Sequence, residues 1–139
     1  ENLTYHKIPL PNLYVTNGDN LGVEQENYYD FIFSSIAMQH ICVHKIRYSI
    51  LTCMYKALKK GGRISIQMAF GTFRKNSVGY FENCFNAMGT NGGYDTRVED
   101  PNEIKKDLDS IGFKDFEYWV RPGGPGNADA NWIFFTASK

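Results

Sequence analysis

Residues 28–34, with the sequence YYDFIFS, carry an apolar or aromatic side chain at nearly every position. A strand that covers one face of a sheet alternates apolar and polar residues, whereas a strand that is apolar throughout is buried on both faces. Strands of the second kind are typical of parallel sheets with helices on both sides. We therefore predict an interior strand of an α/β sheet, which limits the chain to a small set of folds.

Two segments follow the helical period. Between residues 43 and 58 apolar side chains recur at steps of three and four, and Gly61 is expected to end this helix in a left-handed conformation. The second helix has sharper boundaries, because its sequence offers an N-cap, a proline for the first turn, a capping-box glutamate and a terminating glycine. These residues are Asp100, Pro101, Glu103 and Gly112.

Further strands are predicted over residues 13–16, 63–70, 113–121 and 132–137. The last two are joined by a Gly/Pro-rich connection without a helix, so they are expected to be antiparallel neighbours. Strands that otherwise alternate with helices predict an α/β fold with a largely parallel sheet, ending in an antiparallel β-hairpin.

One domain is predicted over residues 1–139, with an insert at residues 71–99 that is longer than an ordinary connector. Apolar side chains at helical spacing within it predict a short amphipathic helix that includes Val78, Phe81, Phe85 and Met88. Because long ordered loops often cover binding sites, the insert is a candidate substrate lid.

Composition excludes several classes of function. Lys and Arg total 15, as do Asp and Glu, so no net positive charge is available to attract nucleic acid. No apolar run reaches the roughly 18 residues that a membrane span requires. The three cysteines lack CxxC spacing, and His40 and His44 lack a third ligand, so we expect reduced thiols, a cytoplasmic location and no metal site.

Residues 29–41, YDFIFSSIAMQHI, resemble the fourth strand and the following turn of class I S-adenosylmethionine-dependent methyltransferases. Residues 57–66, ALKKGGRISI, are similar to the end of the next helix and the fifth strand of that family. Residues 17–21, NGDNL, are similar to the turn after its third strand, and the final hairpin to its sixth and seventh strands. The resemblance implies a Rossmann-like methyltransferase sheet.

The family also has a glycine-rich loop that surrounds the methionine part of the donor and an acidic residue that holds its ribose. No GxGxG occurs in this sequence, and residues 1–11 are too few to contain both elements. The expectation is therefore a domain truncated at its N-terminus, inactive alone or a weak binder of the S-adenosylmethionine cofactor.

The resemblance assigns roles to individual residues. Contacts with the adenine end of the donor are implied for Asp19, Asn20 and Leu21, and contacts with its methionine end for Ser34, Ser35 and Ile36. Gln39 and His40 fall where family members place polar groups near the transferring methyl, so His40 is a candidate general base. Acceptor contacts are implied for Gln39, Tyr80, Tyr94 and Arg97.

Several of these assignments have a structural alternative. Asp19 can cap a local turn, Leu21 can belong to the core, and the serines can cap the strand end. His40 can be a solvent-facing histidine, and Arg97 a solvated charge.

Two functions are consistent with these patterns. The first is transfer of a methyl group to a small-molecule acceptor. The second is a non-catalytic, self-associating module, because without a preceding strand the segment YYDFIFS becomes an apolar sheet edge. The sequence therefore predicts a homodimer, formed by edge pairing or by exchange of the N-terminal strand.

Overall fold

The computed structural model describes residues 14–22, 25–72, 76–85, 94–124 and 131–139. Strands alternate with helices along these residues, which confirms the predicted α/β class. The elements in chain order are β1 (Tyr29–Ser35), a 3₁₀ turn (Ala37–His40), α1 (His44–Ala57), β2 (Leu58–Phe70), β3 (Ser77–Val78), β4 (Asp95–Val98), α2 (Pro101–Ile111), β5 (Lys114–Pro122) and β6 (Asn131–Ser138).

Strand β2 is the centre of the sheet. Strand β1 lies parallel to it, with Phe31 opposite Arg63 and Ser35 opposite Gln67. On its other side β2 pairs antiparallel with β6, which in turn pairs antiparallel with β5. The order β1-β2-β6-β5 confirms the predicted terminal antiparallel hairpin, and β6 is the strand of reversed direction within it.

The insert contributes two strands to the same sheet. Strand β4 pairs in parallel with the end of β2, and β3 pairs in parallel with β4. The amphipathic helix predicted in the insert is wrong for the described residues: Val78 belongs to β3, and Phe81 and Phe85 lie in turns. A helix so short gains little from its own hydrogen bonds, whereas a sheet edge supplies ready backbone partners. Met88 lies outside the described residues.

Helix α2 has the predicted boundaries. The Asp100 carboxylate accepts a hydrogen bond from Asn102 N at 2.9 Å, and the Glu103 carboxylate accepts one from Asp100 N at 3.2 Å. At the other end Gly112 has φ 112° and its N–H donates to Leu108 O. These contacts satisfy backbone groups that the helix termini would otherwise leave unpaired.

Helix α1 ends earlier than predicted. Its last residue is Ala57, and β2 begins at Leu58, so Gly61 does not end the helix. Gly61 does have a positive φ of 79°, but it lies within β2, where the register against β1 shifts between Tyr29 and Phe31. Extra β2 residues form a bulge there, and glycine accommodates the backbone conformation that the bulge requires.

The predicted N-terminal strand is also absent among the described residues, since residues 14–17 have no regular structure. Leu13 lies outside the described residues. This segment contains several β-prone side chains, but no sheet edge pairs with it in the part of the chain described here.

Both helices pack on one face of the sheet. Their buried side chains meet alternate residues of β2 and β6, including Ile66 and Phe135, in one hydrophobic core. On the opposite face Phe31 and Phe33 of β1 are 56% and 72% exposed. The prediction that both faces of this strand are covered is therefore wrong for the described residues.

Among the described residues, no helix combines the length and apolar character needed to cross a bilayer.

Candidate active site at the carboxyl end of β1

The chain turns sharply after β1 through a strained residue. Ile36 has φ 67°, a left-handed conformation that a β-branched side chain rarely adopts. Its carbonyl accepts a hydrogen bond from Gln39 N at 3.2 Å, which begins the 3₁₀ turn. Strain of this kind costs about 1–3 kcal/mol and concentrates at functional sites. In open α/β sheets, ligands bind beyond the carboxyl ends of the strands, which is where Ile36 lies.

The last residue of the turn, His40, lies within hydrogen-bonding distance of the first residue of β4. His40 Nδ1 lies 2.6 Å from Asp95 Oδ1. The His40 side chain is 59% exposed, whereas that of Asp95 is only 18% exposed. A carboxylate that holds one ring nitrogen fixes the orientation of the imidazole and leaves the other nitrogen, Nε2, for a reacting group.

A cavity of about 260 Å³ opens beside this pair. Its size is near the lower end of the range for small-molecule sites. Apart from His40, its walls are apolar side chains, thiols and one glycine. The lining residues are Gly18, His40, Ile41, Cys42, Val43, Ile46, Cys84 and Phe85. A small organic molecule with one protic group would fit these walls better than a strongly anionic one.

Gln39 lies directly before His40 and is almost completely buried, with 2% of its surface exposed. Its Oε1 has no hydrogen-bond partner among the described residues. A buried polar atom without a partner costs about 1–3 kcal/mol. Gln39 therefore keeps an unused acceptor within the turn that carries His40.

The predicted adenine-side turn is held by its own side chains. Asn20 donates from Nδ2 to Asn17 Oδ1 at 2.6 Å and to Asp19 Oδ1 at 3.1 Å. The Asn20 side-chain oxygen accepts from Gly22 N at 2.7 Å, so this residue forms an Asx-type turn. Leu21 packs against the core. The Asp19 side chain is exposed, and Gly18 connects the turn to the cavity.

The predicted methionine-side residues lie together at the end of β1. Ser35 donates from its hydroxyl to Gln67 Oε1 on β2 at 2.7 Å, which satisfies that hydroxyl within the sheet. Ser34 is half-buried on the opposite face of the strand, and Ile36 follows as the strained residue.

Tyr80 is not at the cavity. It is buried in the core, and its hydroxyl donates to Asp107 Oδ2 on α2 at 3.0 Å. The same carboxylate oxygen lies 2.8 Å from His44 Nε2 on α1. Burial raises the pKa of the Tyr80 hydroxyl well above its ordinary value, and the Asp107 charge acts in the same direction. The predicted acceptor contact is therefore replaced by a structural one, which anchors the insert to both helices.

Arg47 of α1 completes this anchor. Its guanidinium is buried and donates to the carbonyls of Ile41 and Tyr80 and to Thr96 Oγ1. Burial lowers the pKa of Arg47, although the nearby Asp107 opposes the shift. These bonds join the segment after the turn, the insert and β4, and so link the elements that carry His40 and Asp95.

Arg97 is also turned away from the cavity. It pairs with Glu99, with 2.5 Å between Arg97 Nη2 and Glu99 Oε1, and it donates to the Ser77 hydroxyl. Tyr94 is half-buried and packs against Cys42, whose thiol donates to the Tyr94 carbonyl at 3.2 Å. Of the predicted acceptor residues, Gln39 and Tyr94 lie near the cavity, whereas Tyr80 and Arg97 do not line it.

Sequence reasoning missed Asp95, Cys42 and Cys84 as parts of this site, and it placed Phe85 only within the candidate lid. Asp95 is separated from His40 by 55 positions, and no local spacing relates the two. Asp95 is the first residue of β4, so the rule that ligands bind at the carboxyl ends of strands gave no signal for it.

Comparisons with solved structures show which fold the chain has. No protein-family model and no curated protein matches the sequence. Solved structures do match it. An S-adenosylmethionine-dependent methyltransferase from Methanosarcina mazei has a TM-score of 0.63 and 17% identity, over 89% of this chain and 65% of that one.

Two further structures are similar. One is a possible histamine N-methyltransferase from Thermotoga maritima, with a TM-score of 0.57 and 16% identity over 89% of this chain and 62% of that one. The other is phosphoethanolamine N-methyltransferase 2 from Haemonchus contortus, in complex with phosphomonomethylethanolamine and S-adenosylhomocysteine. It has a TM-score of 0.53 and 19% identity over 83% of this chain.

The fold is that of the class I methyltransferases. This confirms the resemblance found in the sequence over most of the chain. The chain spans 34% of the Haemonchus enzyme and 65% of the Methanosarcina one. At these identities the likeness concerns the fold, and a fold of this kind does not by itself specify a reaction.

The described residues offer few polar groups to a ligand such as the S-adenosylhomocysteine of the Haemonchus structure. The carboxylate of Asp19 is exposed, whereas the Ser35 hydroxyl is already bonded to Gln67 within the sheet. Gln39 Oε1 has no hydrogen-bond partner among the described residues, but the side chain is buried. The sequence contains no GxGxG, so the fit is partial.

Proposed function

We propose that the chain forms the acceptor side of an S-adenosylmethionine-dependent methyltransferase that acts on a small molecule. The observation that carries this proposal is the carboxylate-bound imidazole of His40 at the mouth of an apolar cavity. Its setting in a class I methyltransferase fold supports the same conclusion.

His40 would act as the general base. Histidine side chains exchange protons near neutral pH, and Asp95 would hold the proton-bearing Nδ1 so that Nε2 can accept a proton from the acceptor. Asp95 would also stabilise the imidazolium that results. The apolar walls of Ile46 and Phe85 would exclude water and hold the acceptor beside Nε2.

Donor binding would use the residues at the two adjacent turns. Asp19, Asn20 and Leu21 would contact the adenine end, and Ser34, Ser35 and Ile36 the methionine end. When bound, S-adenosylmethionine supplies an already activated methyl group, so the protein mainly positions and desolvates the reactants. With no glycine-rich loop in the sequence, donor affinity of this chain would be weak, and the chain alone would have little or no activity.

Chemical-shift mapping with S-adenosylhomocysteine tests donor binding even where the affinity is weak. We expect dose-dependent shifts of the backbone amides of residues 19–21 and 34–36, with no comparable change in β5 at the far edge of the sheet. Calorimetry should give an affinity weaker than micromolar. Tight binding would contradict the proposal that the donor site is incomplete. An absence of shifts at millimolar ligand would contradict the proposal that these residues bind the donor.

A panel of small acceptors tests the base. For any acceptor that gives slow but detectable release of S-adenosylhomocysteine, His40→Asn should lower the rate to that of the uncatalysed reaction, because a general base usually contributes about 10²–10⁴-fold. His44→Asn is the matched control, because it removes the neighbouring histidine, which bonds to Asp107 instead of lining the cavity. Equal losses in both variants would contradict a catalytic role for His40.

A second candidate function is a non-catalytic, self-associating module. It is favoured by the exposed aromatic pair Phe31 and Phe33, whose rings stack with centroids 6.3 Å apart on a strand that pairs only with β2 among the described residues. An exposed apolar edge of this kind tends to pair with another chain. We propose that it mediates a homodimer, which is compatible with either function.

We also propose a cytoplasmic location, a compartment in which cysteines are reduced under ordinary conditions and permanent disulfides are rare. Localisation of a fluorescent fusion would test this assignment, and retention in a secretory compartment would contradict it.

A further inference from the structure

Two of the three cysteines face each other across a short antiparallel contact. Val43 lies opposite Asn83 in an antiparallel bridge, so the residues one step outward, Cys42 and Cys84, also lie opposite each other. Cys84 N donates to Cys42 O at 2.9 Å, and His44 N donates to Glu82 O at 2.9 Å, which fixes this register on both sides.

This register brings the two cysteines within reach of a disulfide. Directly opposed residues in an antiparallel pair have Cα atoms about 4.5–5.5 Å apart and send their side chains to the same side. A disulfide spans Cα separations of about 4.4–6.8 Å, which includes the separation that this register implies. Both side chains line the same cavity and belong to one small apolar cluster with Val78 and Tyr94.

The third cysteine has a different setting. Cys53 lies within α1, half-buried, and it is not part of the cavity lining. Proximity therefore favours a disulfide between Cys42 and Cys84 over the two possible disulfides that involve Cys53.

We propose that Cys42 and Cys84 are an oxidation site that forms a reversible intrachain disulfide in the wall of the cavity. The oxidant is a low-molecular-weight disulfide such as oxidised glutathione. The proposal stands independently of methyl transfer, because it depends only on the two thiols and their register.

The exchange begins at Cys84, the more exposed of the two thiols. Its thiolate attacks one sulfur of oxidised glutathione, forms a mixed disulfide and releases one glutathione thiolate. The Cys42 thiol then loses its proton and attacks the Cys84 sulfur, which breaks the mixed disulfide and releases the second glutathione. Two protein thiols are thereby oxidised to one disulfide, and one oxidised glutathione is reduced to two thiols.

Burial raises the pKa of Cys42, so little of it is thiolate at neutral pH. The second step should therefore accelerate as the pH rises. The new bond would also replace the hydrogen bond from Cys42 Sγ to the Tyr94 carbonyl and draw the two walls of the cavity together. Because Cys42 follows His40 by two residues, oxidation would narrow the space beside the imidazole.

Titration of the full chain with defined ratios of oxidised to reduced glutathione tests the proposal. Non-reducing peptide mass spectrometry should show a Cys42–Cys84 cross-link in the wild type and in the control variant Cys53→Ser, and reduction should reverse it. Cys42→Ser should stop at the Cys84–glutathione adduct, and Cys84→Ser should form no cross-link to Cys42.

Three outcomes would overturn the proposal. They are glutathione adducts without a cross-link in the wild type, a cross-link that involves Cys53, and a cross-link that appears only after denaturation. Circular dichroism of the serine variants distinguishes loss of the cross-link from loss of the fold. Because the readout is mass, an inactive chain does not affect the result.

Discussion

His40 Nδ1 and Asp95 Oδ1 lie 2.6 Å apart, which joins the turn after β1 to the first residue of the insert's last strand. The insert therefore contributes Asp95 of β4 to the site, in addition to the cavity-lining residues Cys84 and Phe85. The imidazole is therefore positioned by an element that is hydrogen-bonded to the central strand of the sheet.

The first prediction concerns the proton on this imidazole. A carboxylate beside Nδ1 favours the tautomer that carries its proton there. Asp95→Asn should raise the population of the tautomer protonated at Nε2, as measured from the ring ¹⁵N shifts above neutral pH. Asp30→Asn is the control, because Asp30 is exposed and pairs with Lys59 instead. Unchanged ring shifts in Asp95→Asn would contradict the positioning role.

The second prediction concerns the strained backbone at Ile36. Glycine adopts a φ of 67° without steric cost, so Ile36→Gly should relieve the strain at the end of β1. Glycine loses more conformational entropy on folding than isoleucine, which offsets part of this gain. The free energy of unfolding should therefore increase by up to about 1 kcal/mol. Urea denaturation measures the change. Val15→Gly is a control at an exposed, irregular position, and a large loss in Ile36→Gly would show that the side chain matters more than the strain.

The third prediction concerns the stability of the chain at alkaline pH. The folded-state pKa of Tyr80 is raised well above 10.0, so the unfolded chain loses this proton at lower pH than the folded chain. The raised pKa contributes to the free energy of unfolding. This contribution is present in full below about pH 10 and is lost as the pH rises further, at up to about 1.4 kcal/mol per pH unit.

Tyr80→Phe should flatten this alkaline decline, at the cost of about 1 kcal/mol at neutral pH for the lost bond to Asp107. Urea denaturation at a series of pH values provides the measurement. Tyr118→Phe, on the exposed strand β5, is the matched control. An alkaline decline of equal slope in Tyr80→Phe and the wild type would disprove the assignment to Tyr80.

The fourth prediction follows from the proposed disulfide. Closing the loop between Cys42 and Cys84 constrains the unfolded chain and should stabilise the oxidised form by about 2–4 kcal/mol. The melting temperature of the oxidised wild type should therefore exceed that of the reduced form. Cys53→Ser should keep this difference, and Cys84→Ser should lose it. A lower melting temperature on oxidation would mean that the bond strains the native structure.

The fifth prediction concerns self-association. Phe31→Glu combined with Phe33→Glu places two like charges on the exposed edge and should convert a dimer to a monomer in light scattering at micromolar concentration. Tyr118→Glu at the opposite edge should leave the dimer intact. A wild type that is monomeric under these conditions would count strongly against the dimer, and a dimer that resists the double change would place the interface elsewhere.

The parts of the fold that local chemistry specifies were predictable from the sequence. Asp100, Glu103 and Gly112 satisfy backbone groups of their own helix, so their spacing alone reveals the boundaries of α2. The terminal hairpin was also predictable, because two β-prone runs without an intervening helix have few arrangements open to them.

The insert was not predictable, because its structure depends on distant partners. Val78 and Phe81 have helical spacing, but pairing of β3 with β4 and burial of Tyr80 against Asp107 determine their conformation. Asp95 was not predictable for the same reason. It reaches His40 only because β4 pairs with the end of β2. Long-range pairing of this kind leaves no periodic signal in one sequence.

Strand β3 ends at Val78 and β4 begins at Asp95, and β4 is itself hydrogen-bonded to β2. Replacement of residues 86–93 therefore need not displace Asp95 or the His40 imidazole bonded to it. Sequence changes confined to residues 86–93 could then alter which molecule is recognised while the His40–Asp95 pair is kept. A library that randomises residues 86–93 and preserves Tyr80 and Asp95 would be a natural starting point for altering which molecule enters the cavity.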